Sequence, residues 1–149
     1  MIRELVATAR TWVPLPLRLT LGVIFIAHGM QKVFGMWGGP GWGAFTGGTT
    51  PFSFMRPAWF WLGAAAVSEL VGGILVLLGL FTRVGAFFLA ATMLTAIFGY
   101  HFQGGLFLSN KGYEYALALL GMSIALLVSG GGRASVDEYL QQGARGRRR

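Results

Sequence analysis

Four long apolar segments constrain this chain more than any other feature of its sequence. Each is close to the roughly 20 residues that a helix needs to cross the hydrocarbon core of a bilayer, which is about 30 Å thick. Charged residues make up 11% of the 149 residues, well under the roughly one quarter that is usual in soluble domains. The pattern predicts an integral membrane protein and excludes a water-soluble enzyme, a coiled coil and a disordered tail. The segments are residues 15–34, 58–80, 83–102 and 113–130.

The connections between these segments predict an up-down arrangement. Only Phe81 and Thr82 separate the second segment from the third, and so short a turn requires an antiparallel hairpin. Prolines precede or begin the first two segments and glycines follow the fourth, as suits helix ends. The sequence therefore predicts an all-α, integral membrane, up-down four-helix bundle. Residues 1–132 would form a single four-span domain, and residues 133–149 a basic cytoplasmic tail.

The longest connection, residues 35–57, is rich in Gly and Trp. Its Gly and Pro residues disfavour a regular helix, whereas its Trp and Phe residues favour the headgroup layer of a bilayer. We expect a Gly/Trp-rich outer loop between helices 1 and 2, lying along or dipping into the outer interface. Such a loop is either a functional lid or an aromatic anchor.

Basic residues set the expected orientation of the spans. Most of the net charge of +7 falls on the side that would hold both termini and the turn between the second and third spans. The positive-inside rule therefore predicts that both termini are cytoplasmic. The arginine-rich run at 145–149 is expected to lie against anionic lipid headgroups, and nucleic acid is not an expected partner.

Ionisable residues inside or at the edge of the predicted spans are the main functional signal. Burying a charge at bilayer depth costs about 2.5–3.5 kcal/mol even on the most lenient scale, so each such residue needs a partner or a function. At about 1.5 Å per residue, most of them fall in the outer half of the bundle, with Glu69 near the midplane. The candidate ligand-binding or proton-relay residues are Arg18, His28, Lys32, Glu69, His101, Asn110 and Glu114.

Helical spacing suggests how these residues are paired. His28 and Lys32 are four residues apart, so they project from one face of the first helix and both can point into the bundle. The Glu69 carboxylate lies too deep to reach water and stays ionised only beside a cation, either Arg18 or one of these two residues. The alternative is that the Arg18 and Lys32 side chains reach the headgroups, and that Glu114 only favours a helix N-terminus.

Neither a metal site nor a haem site is expected. The two His and two Glu residues lack tight ligand spacing, and a Lys lies among them. The chain has no Cys, which excludes disulfides, thiolate metal sites, CxxC redox pairs and a cysteine nucleophile. Any redox chemistry must therefore come from a cofactor or a partner.

Five short stretches of the sequence have a distinctive order and spacing. Arg18-Leu19 is followed by the string at 22–32, then by 69–73 together with 77–83, and last by 110–114. Together they are spread over nearly the whole of the range 15–130, and they resemble the DoxX family of bacterial four-helix membrane proteins. Members of that family are linked to membrane-associated oxidoreductase complexes, and relatives named DoxD serve with a partner subunit in thiosulfate-to-quinone electron transfer. The family-type polar positions that the resemblance implies are Arg18, His28, Lys32, Glu69, Arg83, Asn110 and Glu114.

The resemblance and the polar cluster together favour a multi-pass protein of the bacterial inner (plasma) membrane. We expect a small, non-catalytic subunit of an oxidoreductase system, embedded in the lipid bilayer and working with redox partner subunits. A polar pocket in the outer half of the bundle would bind a quinone, the candidate cofactor, or a small sulfur species. The alternatives are a small-solute or proton transporter or channel-like element, which would require a homo-oligomer, and a structural assembly subunit.

Each polar residue has an expected part in the redox hypothesis. Lys32 and His28 would hydrogen-bond or neutralise the ligand. Glu69 and Glu114 would carry protons, and Arg18 would balance the charge of Glu69.

Overall fold

The computed structural model describes residues 7–146, and in that range every regular element is helical. A π-helical turn, Ile97–His101, and a short 3-10 turn, Phe102–Gly104, extend the α-helix Thr82–Ala96. The all-α fold class is confirmed for the described residues, which contain no strand. The six α-helices are α1 Pro14–Phe34, α2 Gly41–Thr46, α3 Ala58–Leu78, α4 Thr82–Ala96, α5 Glu114–Ser129 and α6 Val136–Gly146.

Two of these helices are long and apolar enough to cross a bilayer. They are α3 and the continuous helix formed by α4 and its extension to Gly104. α1 meets the same test only together with the segment Met36–Thr46, from which it is separated by a bend of 98°. α5 is apolar but shorter, at 16 residues. The described residues thus contain two candidate spans, or three with the bent pair, and the count of four spans stays a prediction.

The four longest helices pack in a ring around one apolar core. α1 packs mainly on α3, α3 on α4, and α4 on α5, and contacts between α1 and α5 close the ring. The core side chains include Leu21, Phe25, Val76, Leu89 and Leu126. Many large apolar side chains also point outward, which is typical of helices that face lipid rather than water.

Glycines allow α1 and α3 to approach backbone to backbone. A Cβ atom added to Gly29 would lie 2.6 Å from the Cα atom of Leu70, and one added to Gly22 would lie 2.6 Å from the Cβ atom of Leu77. Small residues at such contacts let helices pack closely where no water is available to drive association. The two contacts fix the antiparallel register of α1 on α3.

The Gly29→Ala variant is expected to lower the free energy of unfolding by about 1–3 kcal/mol, because its methyl group would meet the backbone of α3. Gly121→Ala is the matched control, since nothing lies within 4 Å of a Cβ atom at that position on α5. The control should be neutral or stabilising by about 0.5–1 kcal/mol, as a helix gains when Ala replaces Gly. Denaturation by SDS in mixed micelles, followed by circular dichroism, measures both. Equal stability of the two variants would show that the close contact is absent.

The connection between α1 and α3 is partly helical, which differs from the expectation. α1 ends at Phe34, and the next residue, Gly35, has a left-handed backbone at φ 70°, a common helix terminator. The six-residue helix α2 then runs between Pro40 and Gly47. The Gly and Pro residues thus limit the helix to a short piece instead of preventing it. We call the end of the bundle that carries this connection the loop end.

The opposite end of the bundle, which we call the tail end, is closed by α6. The Asp137 carboxylate accepts hydrogen bonds from the backbone N–H of Phe81 at 2.7 Å, and from the N–H and hydroxyl of Thr82 at 2.9 and 2.7 Å. These groups stand at the start of α4, where backbone N–H groups lack partners within the helix. The predicted basic tail is therefore in part a helix that caps α4. Residues 1–6 and 147–149 lie outside the described residues.

The Asp137→Ala variant is expected to lower the free energy of unfolding by about 1–2 kcal/mol, the usual effect of losing a helix cap. Hydrogen exchange should quicken at the start of α4, since the N–H groups of Phe81 and Thr82 lose their acceptor. Glu138→Ala is the matched control, because this neighbouring acid makes no such contact with α4. Unchanged exchange at these two amides in Asp137→Ala would count against the capping role.

Candidate functional site

An ion pair with a buried carboxylate joins α1 and α3. The Lys32 Nζ atom lies 2.5 Å from each carboxylate oxygen of Glu69. The Glu69 side chain is 4% exposed and that of Lys32 is 23% exposed. This is the only ion pair in the part of the chain that the structure describes. Because buried charges are stable only when paired, each residue depends on the other.

A cavity of about 530 Å³ opens beside this ion pair, between α3 and α4. Both Lys32 and Glu69 line it, and most of its other lining side chains are apolar or aromatic. Its volume falls in the range of small-molecule binding sites, roughly 300–1,000 Å³. A mostly apolar cavity with a few polar groups is the usual composition of such a site.

The cavity lies toward the loop end of α3 and α4. Near the tail end they are close, since a Cβ atom added to Gly85 would lie 3.0 Å from the carbonyl oxygen of Gly72. Toward the loop end several of the facing residues are small, and three of them, Ala64, Ala65 and Ala91, line the cavity.

The connection between α1 and α3 covers the cavity at the loop end. The Lys32 Nζ atom lies 5.1 Å from the ring centroid of Phe45, a cation–π contact. The Tyr100 hydroxyl donates a hydrogen bond of 3.1 Å to the carbonyl oxygen of Thr49. Phe45 and Tyr100 both line the cavity, so these contacts fix its cover to α1 and to the extension of α4.

His101 also lines the cavity, from the π-helical turn that extends α4. Its Nδ1 atom lies 2.9 Å from the carbonyl oxygen of Lys111. A carbonyl oxygen only accepts hydrogen bonds, so Nδ1 carries the proton and the Nε2 atom of the neutral ring is an acceptor. Turns of this π type recur at functional sites. His101 is thus the third candidate residue that the fold brings to this cavity.

His28 is exposed on the outer face of α1, although we expected it to point inward with Lys32. Four residues on an α-helix leave an offset of about 40° around the axis, at 3.6 residues per turn. That offset is enough to place Lys32 at the contact with α3 and His28 outside it. Lys32, with its long side chain, therefore reaches Glu69, whereas His28 does not.

Asn110 and Glu114 lie beyond the cavity, at the loop end. The Glu114 carboxylate accepts a hydrogen bond of 2.5 Å from the backbone N–H of Leu108, so it orders the turn before α5. Asn110 is exposed in the same turn. This position favours the alternative in which Glu114 only stabilises the N-terminus of a helix, here α5.

Arg18 lies at the tail end and does not balance Glu69. It is 14 positions before Lys32 on α1, which is about 21 Å along the helix. Its side chain is buried, and its guanidinium satisfies carbonyl groups at the end of α3 and in the turn before α6, where helix carbonyls lack internal partners. The acceptors are the carbonyl oxygens of Val76 at 3.0 Å, Leu77 at 2.9 Å, Gly131 at 3.1 Å and Ala134 at 3.1 Å.

Sequence reasoning missed the hydroxyl residues of the cavity. Thr92 and Thr95 line it on α4, and their hydroxyls donate to the carbonyl oxygens of Phe88 and Ala91, at 2.9 and 3.1 Å. Each hydroxyl oxygen can still accept a hydrogen bond from a ligand. The available signal in the sequence was that Thr92 and Thr95 are three positions apart, which places both on one face of a helix. Over residues 7–146, no group of three or more His, Cys, Asp or Glu side chains could hold a metal ion.

Comparisons with known proteins agree with this picture. The sequence model of the DoxX family matches residues 13–102, the range that contains every cavity-lining residue. A Bacillus subtilis protein named "Putative oxidoreductase CatD" is 33% identical over 129 residues, which cover 85% of this chain and 86% of that protein. A Haemophilus influenzae protein named "Uncharacterized protein" is 35% identical over 129 residues, which cover 81% of this chain and 85% of its own length. No solved structure matches the chain.

Proposed function

Because the chain belongs to the DoxX family of membrane proteins, we propose that it is a small subunit of a membrane-associated oxidoreductase system. Its ligand would be a quinone headgroup or a small sulfur species, bound in the cavity beside Lys32 and Glu69. The observation that carries the proposal is a cavity of about 530 Å³ with a buried ion pair in an otherwise mostly apolar lining. The name of the Bacillus subtilis relative supports a redox role.

Lys32 is the group best placed to hold the ligand. Its ammonium has three N–H donors, and with two directed at the Glu69 oxygens one remains for a ligand oxygen. Lys32 is also the more exposed partner, at 23% against 4% for the Glu69 side chain. A quinone suits this arrangement because its ring is apolar and its two carbonyl oxygens accept hydrogen bonds.

The protons of the reaction would come from the same cavity. Reduction of a quinone to a quinol takes up two electrons and two protons. The Lys32–Glu69 pair and the free Nε2 atom of His101 are groups that can exchange protons beside the ring. This chain has no Cys, so the electrons would come from a cofactor or, in our proposal, from a redox partner protein.

The distribution of charge supports a bacterial inner-membrane location with the tail end in the cytoplasm. Arg10, Arg83 and Arg133 stand at the tail end, and Arg83 contacts the carbonyl oxygens of Ala7 and Val128 there. By the positive-inside rule, such an arginine-rich end faces the cytoplasm. The cavity would then lie in the outer half of the membrane.

The proposal is tested by ligand protection of the purified protein in lipid nanodiscs. The tail-less quinone 2,3-dimethoxy-5-methyl-1,4-benzoquinone, or thiosulfate, is expected to raise the melting temperature of the wild type, because a ligand that binds only the folded state stabilises it. Glu114→Gln is the control and should keep the full shift, since Glu114 lies outside the cavity. If neither compound shifts the melting temperature of the wild type, the proposed function is refuted.

A further inference from the structure

The outer walls of the cavity are at the same time part of the outer surface of the bundle. Trp61, Phe87 and Phe88 line the cavity and are 38%, 56% and 47% exposed. Ala64 and Ala91 line it too and are also exposed. Side chains that face both the cavity and the outside mark an opening between α3 and α4.

This opening lies at bilayer depth. α3 and α4 with its extension are the two helices that are long and apolar enough to cross a membrane. From Trp61 to Glu69 the groove runs for about 12 Å along α3, at 1.5 Å per residue. Acyl chains, not water, therefore surround the opening in a membrane.

The connection covers the cavity at the loop end with mostly apolar side chains, since only Thr50 among its four lining residues is polar. Phe45, Pro51 and Met55 line the cavity on that side and are half-buried. Pro51 is fixed against the extension of α4, since a Cβ atom on Gly99 would lie 2.5 Å from the Cγ atom of Pro51. An anion arriving from water would have to lose its hydration among these side chains, which is costly.

We infer that the ligand is a lipid-dissolved molecule with a polar ring and an apolar tail, and that it enters sideways from the bilayer between α3 and α4. Its ring lies beside Lys32, and its tail leaves past Ala64, Ala91 and the Phe87–Phe88 pair. This inference rests on the proposed function and narrows its ligand to a tailed quinone, at the expense of a water-soluble sulfur anion.

Photolabelling in nanodiscs tests the path of the tail. The probe is the same dimethoxy-methyl-benzoquinone ring carrying a decyl tail with a diazirine at its end. In the wild type we expect the label on peptides of α3 and α4. Ala91→Trp should fill the groove and lower this labelling about tenfold. Ala125→Trp is the matched control, because Ala125 is an exposed alanine on α5 that does not line the cavity.

Each result separates this inference from the proposed function, given that the ligand-free melting temperatures of both Trp variants match the wild type. If the tail-less ring protects the wild type but the label spreads over all helices, or persists in Ala91→Trp, sideways binding is overturned and the proposed function stands. Protection by thiosulfate without protection by either quinone would also overturn the inference. Labelling on α3 and α4 that only Ala91→Trp removes, together with protection by the tail-less ring, supports both.

Discussion

The Glu69→Leu variant is expected to lower the free energy of unfolding by about 3 kcal/mol, the lower end for a broken buried pair, because it leaves the partly buried Lys32 ammonium without its counter-charge. The Glu69 side chain is 4% exposed and lies in the middle of a candidate span, so water cannot replace the lost carboxylate. Denaturation by SDS in mixed micelles, followed by circular dichroism, measures the loss.

The double variant Lys32→Met with Glu69→Leu shows whether the ion pair serves stability or function. Replacing a buried ion pair by apolar residues of similar size is often neutral or stabilising, so the double variant should recover most of the stability lost in Glu69→Leu. It should nevertheless lose the protection by quinone, because it lacks the Lys32 donor. If the double variant is as unstable as the single one, the two residues are not coupled. If it keeps the protection, the pair has only a structural role.

The Arg18→Met variant is expected to lower the free energy of unfolding by about 4 kcal/mol. Four carbonyl oxygens lose a charged donor, and each such bond contributes roughly 1.5–3 kcal/mol, but single substitutions rarely exceed about 4–5 kcal/mol in total. Arg18→Lys should recover only part of the loss, since a single ammonium cannot reproduce the planar fork of donors. The same SDS denaturation measures both variants.

Arg10→Met is the control for this experiment, because Arg10 is an exposed arginine near the same end of the bundle. It should change the stability by less than about 0.5 kcal/mol. Arg18 lies outside the cavity, so Arg18→Met should keep its affinity for quinone at temperatures where it is folded. Weakened quinone binding in the folded Arg18→Met protein would place Arg18 in the ligand site after all.

Hydropathy predicted the long helices well because it directly reports the length of apolar chain. The second segment was expected at 58–80 and the helix is Ala58–Leu78, while the fourth was expected at 113–130 and the helix is Glu114–Ser129. α6 could not be predicted in this way. Its position against α4 depends on Asp137, which accepts hydrogen bonds from residues more than 50 positions earlier in the chain, and no local pattern encodes that contact.

The candidate site was predictable only in part. The depth argument identified Glu69 and required a cation beside it, which is the pair with Lys32 that the structure shows. Choosing Lys32 over His28 depends on how α1 is rotated about its axis, and choosing it over Arg18 depends on the register of α1 on α3. The cavity itself depends on how far two helices separate, which their sequences do not state.

The cavity and the outward face of α5 are built from different parts of the bundle, and this affects how relatives of this protein can diverge. Among the described residues, the cavity is built from α1, α3, α4 with its extension, and the loop-end connection, and no side chain of α5 lines it. The outward face of α5 carries Leu117, Gly121, Ile124 and Val128, which contact neither Lys32 nor Glu69. Substitutions on this face leave every cavity-lining residue in place. The outward face of α5 can therefore change in sequence while the cavity keeps its lining residues.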